Sequence, residues 1–216
     1  MMTVGNYNCL FDDGMHVRVP REEVVRFHNH CLEMMPSIKA FSNRISLCFW
    51  FDLLVLDQRY HVGVHSVLQP LLDIEGSETP TGTKPATPFT RLPLKGLWHK
   101  HWFTARFLPA NLLAVAACKG SMDWIWEVAN EGDVLTPALM NQIAHRMTVQ
   151  AYKNRHAAKK ITGEWIIYLP RSGLNYYLCL GTHLTGDAQL SDKIRTLCVL
   201  DFPDTNRWID EAAAEI

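Results

Sequence analysis

The chain has 216 residues, of which 48% are hydrophobic and 20% are charged, a usual globular composition that excludes wholesale disorder. Its 21 basic and 22 acidic side chains nearly cancel, so no overall positive charge marks it as a nucleic-acid-binding protein. Any polyanionic ligand would therefore have to bind a local basic patch.

The first 74 residues are predicted to form a segment of one helix and two strands. Apolar residues recur on one face over residues 22–34, after Pro20 and before Pro36, which predicts an amphipathic helix there. The next stretch, RISLCFWFDLLVLDQRYHVGVHSVL, is rich in aromatic and β-branched residues. That composition favours two strands joined near residues 57–59.

Residues 75–93 are predicted to form a loop or linker. Their sequence, EGSETPTGTKPATPFTRLP, is rich in proline and threonine and has no apolar periodicity. It separates residues 1–74 from residues 94–216, which either form a second unit or join the first segment in one domain. Both arrangements stay open at this point.

Residues 94–216 are predicted to hold a small antiparallel sheet. GLWHKHW, at residues 96–102, is expected to be extended, and EWIIYL and NYYLCLGT are expected to form a hairpin around PRSGL. Helices are expected between these strands, most clearly over residues 136–160, and again after the hairpin with a break at Pro203. The predicted fold class is α+β, with a C-terminal hairpin packed against several helices.

The six cysteines are scattered singly through apolar runs without any CxxC pair, so we expect them to be reduced core residues. No secretory signal opens the sequence, and no apolar run is long enough to cross a bilayer. We therefore expect a cytoplasmic protein that does not enter a membrane.

GLWHKHW is the best candidate for chemistry in the sequence. On a regular strand, His99 and His101 would share one face, while Lys100 would lie on the other. Two neighbouring imidazoles can supply one neutral base and one protonated acid near neutral pH. The alternative is that these histidines and the flanking tryptophans simply pack in a core.

A zinc site is a further alternative, because two histidines at this spacing on a strand can bind one ion. His183, Asp187 or Cys179 would have to complete it, but no familiar ligand spacing points to them. We expect no metal and no other cofactor. Phosphate-loop, Rossmann and serine hydrolase motifs are also missing from the sequence.

A local basic patch is predicted at the C-terminal end of the 136–160 helix. It consists of Lys153, Arg155, Lys159 and Lys160. Cations at this end suit the helix dipole, so the patch is either a solvated helix end or a site that binds the phosphates of a substrate.

The motifs GLWHKHWFTARFLPAN and TGEWIIYLPRSGLNYYLCLGTHLTGD, with a helix between them, resemble phage-associated members of the barnase, EndoU, colicin and RelE-like nuclease group. The resemblance covers roughly residues 94–203. It implies a helical part packed on a small antiparallel sheet, with RNA cleaved by side chains of the sheet without a metal. It also implies catalytic roles for His99, Lys100, His101, Arg106, Thr162 and His183.

The leading hypothesis is a metal-independent ribonuclease-like protein, a toxin or phage-associated, that applies histidine acid–base chemistry to RNA. It requires that GLWHKHW lie within side-chain reach of His183. Two alternatives stay open: a non-enzymatic, phage-type binding or structural protein with an aromatic-histidine core, and a zinc-dependent hydrolase. The expected partner is RNA, or a neutralising or phage protein.

Overall fold

A computed structural model describes residues 6–10, 16–76, 83–102, 164–182 and 185–215. The strands are β1 (Asn6–Leu10), β2 (His16–Pro20), β3 (Thr87–Pro88), β4 (Trp98–Trp102), β5 (Glu164–Arg171) and β6 (Leu174–Gly181). The α-helices are α1 (Arg21–Met34), α2 (Leu47–Tyr60), α3 (Val64–Ile74), α4 (Asp187–Leu197) and α5 (Thr205–Glu215), and 3₁₀ segments span Pro36–Arg44 and Cys198–Leu200.

The central sheet is antiparallel and has the strand order β3-β4-β5-β6, while β1 and β2 form a separate ribbon. With helices packed against this sheet, the fold is α+β, as the sequence predicts. The β5–β6 hairpin turns at Ser172 and Gly173, whose φ angles are 50° and 75°. Positive φ at both central residues belongs to a type I′ turn, whose twist matches that of the two strands. The predicted hairpin is confirmed.

The prediction of two strands joined near residues 57–59 is wrong, because this region forms α2 and α3. All residues from Cys48 to Leu56 are buried. Apart from Asp52 this run is uniformly apolar, so it shows no clear helical period in its sequence. Its start is capped by Ser46, whose Oγ accepts a hydrogen bond of 3.0 Å from the backbone N of Phe49. His61, in the left-handed conformation with φ of 53°, ends it.

The other helix predictions hold wherever the structure describes the chain. The helix predicted over residues 22–34 is α1, and the C-terminal region forms α4 and α5 with Pro203 between them. Within the predicted loop of residues 75–93, Thr87 and Pro88 form the short strand β3. The helices predicted between residues 104 and 160 lie outside the described residues.

One hydrophobic core contains side chains from both halves of the chain, including Trp50 of α2 and Trp102 of β4. The backbone N of Ser46, just before α2, donates a hydrogen bond of 2.9 Å to the carbonyl O of Tyr177 on β6. The cysteines that the structure describes within this core are buried, as expected; they are Cys31, Cys48, Cys179 and Cys198. Among the described residues, no helix is both long and apolar enough to cross a membrane.

Side chains cover the outer edge of β6. Asp52 Oδ2 accepts a hydrogen bond of 2.9 Å from the backbone N of Leu180, and Lys193 Nζ lies 3.4 Å from the carbonyl O of the same residue. The Ser46 hydroxyl donates to the carbonyl O of Leu178, which also accepts from Cys198 Sγ at 3.2 Å. Backbone groups that an open edge would offer to another strand are thereby occupied.

Candidate functional site

His99 and His101 lie side by side on one face of β4. Their ring centroids are 5.5 Å apart, and the ring planes are inclined at 81°. The strand pairs regularly with β5, so that His99 is opposite Ile167 and His101 is opposite Trp165. The expected alternation of side chains along GLWHKHW therefore holds.

Aromatic rings surround the half-buried His99. Its ring centroid lies 4.5 Å from that of Phe89 and 5.4 Å from that of Trp165. On the β3 side, His99 Nε2 lies 3.3 Å from Thr87 Oγ1. His101 is more deeply buried, with 5% of its surface exposed. A ligand from solvent would consequently reach His99 more readily than His101.

Lys100 lies on the opposite face of the sheet from the two histidines. Its Nζ is 2.8 Å from Asp73 Oδ2 on α3, and its side chain is 7% exposed. The same Nζ donates a hydrogen bond of 3.1 Å to the carbonyl O of Lys84. The structure therefore does not bring Lys100 together with His99 and His101, and a phosphate held at the histidines would not contact this ammonium group.

The remaining predicted site residues lie outside the described residues. These are Arg106, Thr162, His183, Lys153, Arg155, Lys159 and Lys160. The expected proximity of His183 to GLWHKHW stays a prediction for the same reason. The sheet register does, however, place Gly181, the last residue of β6, opposite Trp165, which is itself opposite His101.

In comparisons with known proteins, no family model, no curated protein and no solved structure matches this chain. The function must accordingly be argued from the site itself.

The ligands suggested for zinc do not form a metal site within the part of the chain that the structure describes. Cys179 is buried in β6, and Asp187 begins α4. Across the described residues, no group of three or more His, Cys, Asp or Glu side chains is arranged to hold a metal ion. The third suggested ligand, His183, is outside those residues.

A polar cluster that no sequence pattern predicts surrounds Glu75, at the end of α3. Arg44 binds its carboxylate through two nitrogens at 3.1 and 2.6 Å, and Oε1 also accepts from Asn175 Nδ2 at 3.1 Å and from the Tyr177 hydroxyl at 2.7 Å. Burial by itself would raise the pKa of Glu75, but these hydrogen bonds hold that pKa below its usual value. Burial and the adjacent carboxylate together raise the pKa of the Tyr177 hydroxyl.

Asp52 and Lys193 form a second polar centre that the sequence did not reveal. Asp52 lies inside an apolar run of the sequence, and its side chain is 2% exposed and bound by Lys193 Nζ at 2.6 Å. Burial raises the pKa of Asp52, although Lys193 and the backbone N of Leu180 both oppose that rise. A charged residue inside an otherwise apolar run is the one sequence signal that could have indicated this pair.

Both missed clusters join elements of the fold. Arg44 and Glu75 tie the 3₁₀ segment and the end of α3 to β6, while Asp52 and Lys193 tie α2 to α4. Their polar groups are already engaged with one another in tight geometry. Of the three arrangements in the described residues, the histidine pair is therefore the one best suited to act on a ligand.

Proposed function

We propose that this protein is a metal-independent ribonuclease-like enzyme that applies the acid–base chemistry of His99 and His101 to RNA. The observation that supports the proposal is the pairing of two imidazoles, 5.5 Å apart, on one face of a regular strand. The chemistry needs two titratable groups near neutral pH, and imidazole is the side chain suited to that range.

In the proposed reaction, a neutral imidazole takes the proton of the 2′-hydroxyl, whose oxygen attacks the adjacent phosphorus. A protonated imidazole gives its proton to the departing 5′-oxygen. We assign the contact with the substrate to His99, because it is the more exposed of the pair and stands beside Thr87 near the sheet edge. His101 lies beside it, with a ring centroid 5.5 Å away, and completes the pair.

His183 is proposed as a further histidine of the same site. Gly181 is two strands away from His101 at the same level of the sheet, a separation of about 10 Å at the usual strand spacing. His183 follows two residues later. This supports a place for it near the pair.

The groups proposed to bind RNA come from the resemblance and from the basic patch. Arg106 and Thr162 would contact the reacting phosphate, where a guanidinium can bind two oxygens at once. Lys153, Arg155, Lys159 and Lys160 would bind the backbone of the RNA. We place this activity in the cytosol, in a toxin or phage-associated protein, and the free thiols of Cys31, Cys48 and Cys198 support a reducing compartment.

The proposal is tested by incubating the purified protein with labelled total RNA in excess EDTA. We expect the wild type to cleave RNA, and His99→Ala and His101→Ala each to lose about 100-fold or more of the activity. His65→Ala is the matched control, because His65 is an exposed histidine on α3, away from the pair. A folded wild-type protein that leaves the RNA intact would refute the proposal.

The second candidate is a non-enzymatic binding or structural protein in which the histidines belong to an aromatic core. It is favoured by the 5% exposure of His101 and by the 4.5 Å contact between the rings of His99 and Phe89. Its partner would be a phage protein or a neutralising protein. If His101→Phe is stable and still binds that partner, while no variant or wild type cleaves RNA, this candidate is the correct one.

A further inference from the structure

We propose that Lys100 is a positioning residue for His99, and that it acts from the opposite face of the sheet through residues 83–89. The inference deepens the proposed function, since it rests on His99 as the group that meets the substrate. It gives the central lysine of GLWHKHW a defined role without placing it among the reacting groups.

Lys100 holds two parts of the chain at once. Its Nζ forms an ion pair of 2.8 Å with Asp73 on α3 and donates a hydrogen bond of 3.1 Å to the carbonyl O of Lys84. With 7% of the side chain exposed, the ammonium group is shielded from competing water. A buried charge with two partners fixes both of them more firmly than an exposed pair would.

The segment held in this way also contacts His99. Lys84 is three residues before Thr87, which is paired with His99 across β3 and β4 and whose Oγ1 lies 3.3 Å from His99 Nε2. Phe89, two residues further on, packs against the ring of His99 with a centroid distance of 4.5 Å. Its backbone N donates a hydrogen bond of 2.8 Å to the carbonyl O of Leu97.

The short length of β3 makes the anchor important. The strand has two residues, so its ladder with β4 gives few hydrogen bonds to hold Thr87 and Phe89 against His99. The Lys84 carbonyl and the Phe89 amide fix the segment on either side of Thr87. Losing the first of these ties would weaken the attachment of the segment at its Lys84 end, where the buried Thr83 also contributes.

Thr87 gives this arrangement a chemical consequence. In a neutral imidazole one nitrogen carries the proton and the other has a lone pair, and the partner of each nitrogen selects the tautomer. A hydroxyl held at Nε2 therefore orients the His99 ring and biases which nitrogen carries the proton. Groups of this kind change activity without touching the reacting atoms.

The test compares Asp73→Asn with the double variant Lys100→Met/Asp73→Asn. Asp73→Asn keeps the bond from Lys100 to the Lys84 carbonyl, whereas the double variant removes that bond together with both charges of the ion pair. In the double variant we expect amide exchange at Phe89 to be roughly tenfold faster and the imidazole ¹⁵N shifts of His99 to change. Asp73→Asn should lower the overall stability, because the Lys100 charge loses its carboxylate, but we expect exchange at Phe89 relative to the other core amides and the His99 shifts to match the wild type.

A folded double variant with wild-type exchange at Phe89 and wild-type His99 shifts would overturn the proposal. If the double variant does not fold, Thr87→Val replaces it in the test. This substitution removes only an exposed hydroxyl and keeps a β-branched residue in β3. Altered His99 shifts in Thr87→Val, restored in Thr87→Ser, would support the role of the segment. Unchanged shifts would refute it.

The two proposals fail in different ways. If the His99 shifts respond as expected but the wild type does not cleave RNA, the positioning role stands and the ribonuclease proposal falls. If RNA is cleaved, we expect the double variant to lose kcat by about tenfold or more with little change in KM, as for a misplaced catalytic group. An equal kcat in the double variant and the wild type would overturn the positioning role.

Discussion

Lys193 Nζ lies 2.6 Å from Asp52 Oδ1 and 2.7 Å from Asp52 Oδ2, so that a single ion pair joins α4 to α2 across 141 residues of sequence. The side chains are 9% and 2% exposed. Since Asp52 also accepts from the backbone N of Leu180, the pair completes the hydrogen bonding at the edge of β6. This joins the two halves of the chain at the sheet.

Removing one partner of this pair is expected to destabilise the protein strongly. Asp52→Asn or Lys193→Met should lower the free energy of unfolding by about 3–5 kcal/mol, because the other charge stays buried without its counterion. Denaturant titration measures the change. The double variant Lys193→Met/Asp52→Asn should lose less stability than the sum of the two single losses predicts.

The exposed pair of Arg207 and Glu211 on α5 provides the matched control. Water and salt screen such a pair, so Arg207→Ala should leave the denaturation midpoint close to that of the wild type. Equal losses for Arg207→Ala and Lys193→Met would contradict a special role for the buried pair.

The Glu75 cluster is expected to make stability depend on pH. The pKa of Glu75 in the folded protein lies below its ordinary value of 4.5, so its carboxylate stabilises the fold fully above that pH. This contribution is lost as the pH falls below 4.5 toward the lowered pKa. The stability advantage of the wild type over Glu75→Gln should accordingly shrink on acidification through this range.

Denaturant midpoints measured from pH 7 down to the acid range would show the effect. Glu33→Gln, at an exposed position on α1, is the control and should follow the wild type more closely at every pH. A constant difference between Glu75→Gln and the wild type would show that the carboxylate does not have the proposed linkage.

Gly96, just before β4, is expected to tolerate no side chain. Its φ is 93°, and an added Cβ would lie 2.7 Å from the backbone N of Ala213 and 2.8 Å from the backbone C of Ala212 on α5. The clash is with backbone, so α5 would have to move. Gly96→Ala should therefore destabilise the protein by more than the ~1 kcal/mol expected for positive φ alone.

Gly173→Ala isolates the contribution of the backbone conformation. Gly173 has a φ of 75°, and nothing lies within 4 Å of an added Cβ. Thermal unfolding of the two variants would give the packing cost by difference. If Gly96→Ala and Gly173→Ala lose equal stability, α5 does not pack against Gly96 in solution as the structure has it.

His101 is expected to affect stability and activity separately. Because it is 5% exposed, His101→Ala should lower the free energy of unfolding by about 2 kcal/mol through lost packing. His101→Phe should recover part of that loss by filling the space with a ring. Neither variant should cleave RNA.

Parallel unfolding and RNA cleavage measurements separate the two effects. Asn206→Ala, at an exposed position on α5, should match the wild type in both. RNA cleavage by a stable His101→Phe would show that His101 takes no part in proton transfer.

Local signals in the sequence were sufficient for several elements. Prolines bound α1, a Ser-Gly turn joins β5 to β6, and period-two alternation places His99 and His101 on one face. Each of these depends on residues close together in the chain. Backbone dihedral preferences and side-chain direction are local properties, so they can be read without knowing what packs on the element.

The failure at α2 has a physical reason. A helix buried on all sides and a strand buried on both faces have the same uniformly apolar sequence, and only the surroundings distinguish them. The structure shows the residues from Cys48 to Leu56 all buried, with Ser46 capping the helix. Tertiary packing decided this element, against the β propensity of its side chains.

The sequence by itself determined the α+β class, the hairpin, the strand of GLWHKHW and the side-by-side placement of its histidines. Only the tertiary structure decided three sets of polar contacts. Lys100 forms an ion pair with Asp73, Glu75 accepts hydrogen bonds from Arg44 and Tyr177, and Asp52 forms an ion pair with Lys193. These contacts depend on how distant elements pack against one sheet. Coulomb attraction and hydrogen bonding act through space, and no local pattern records which partner will be near.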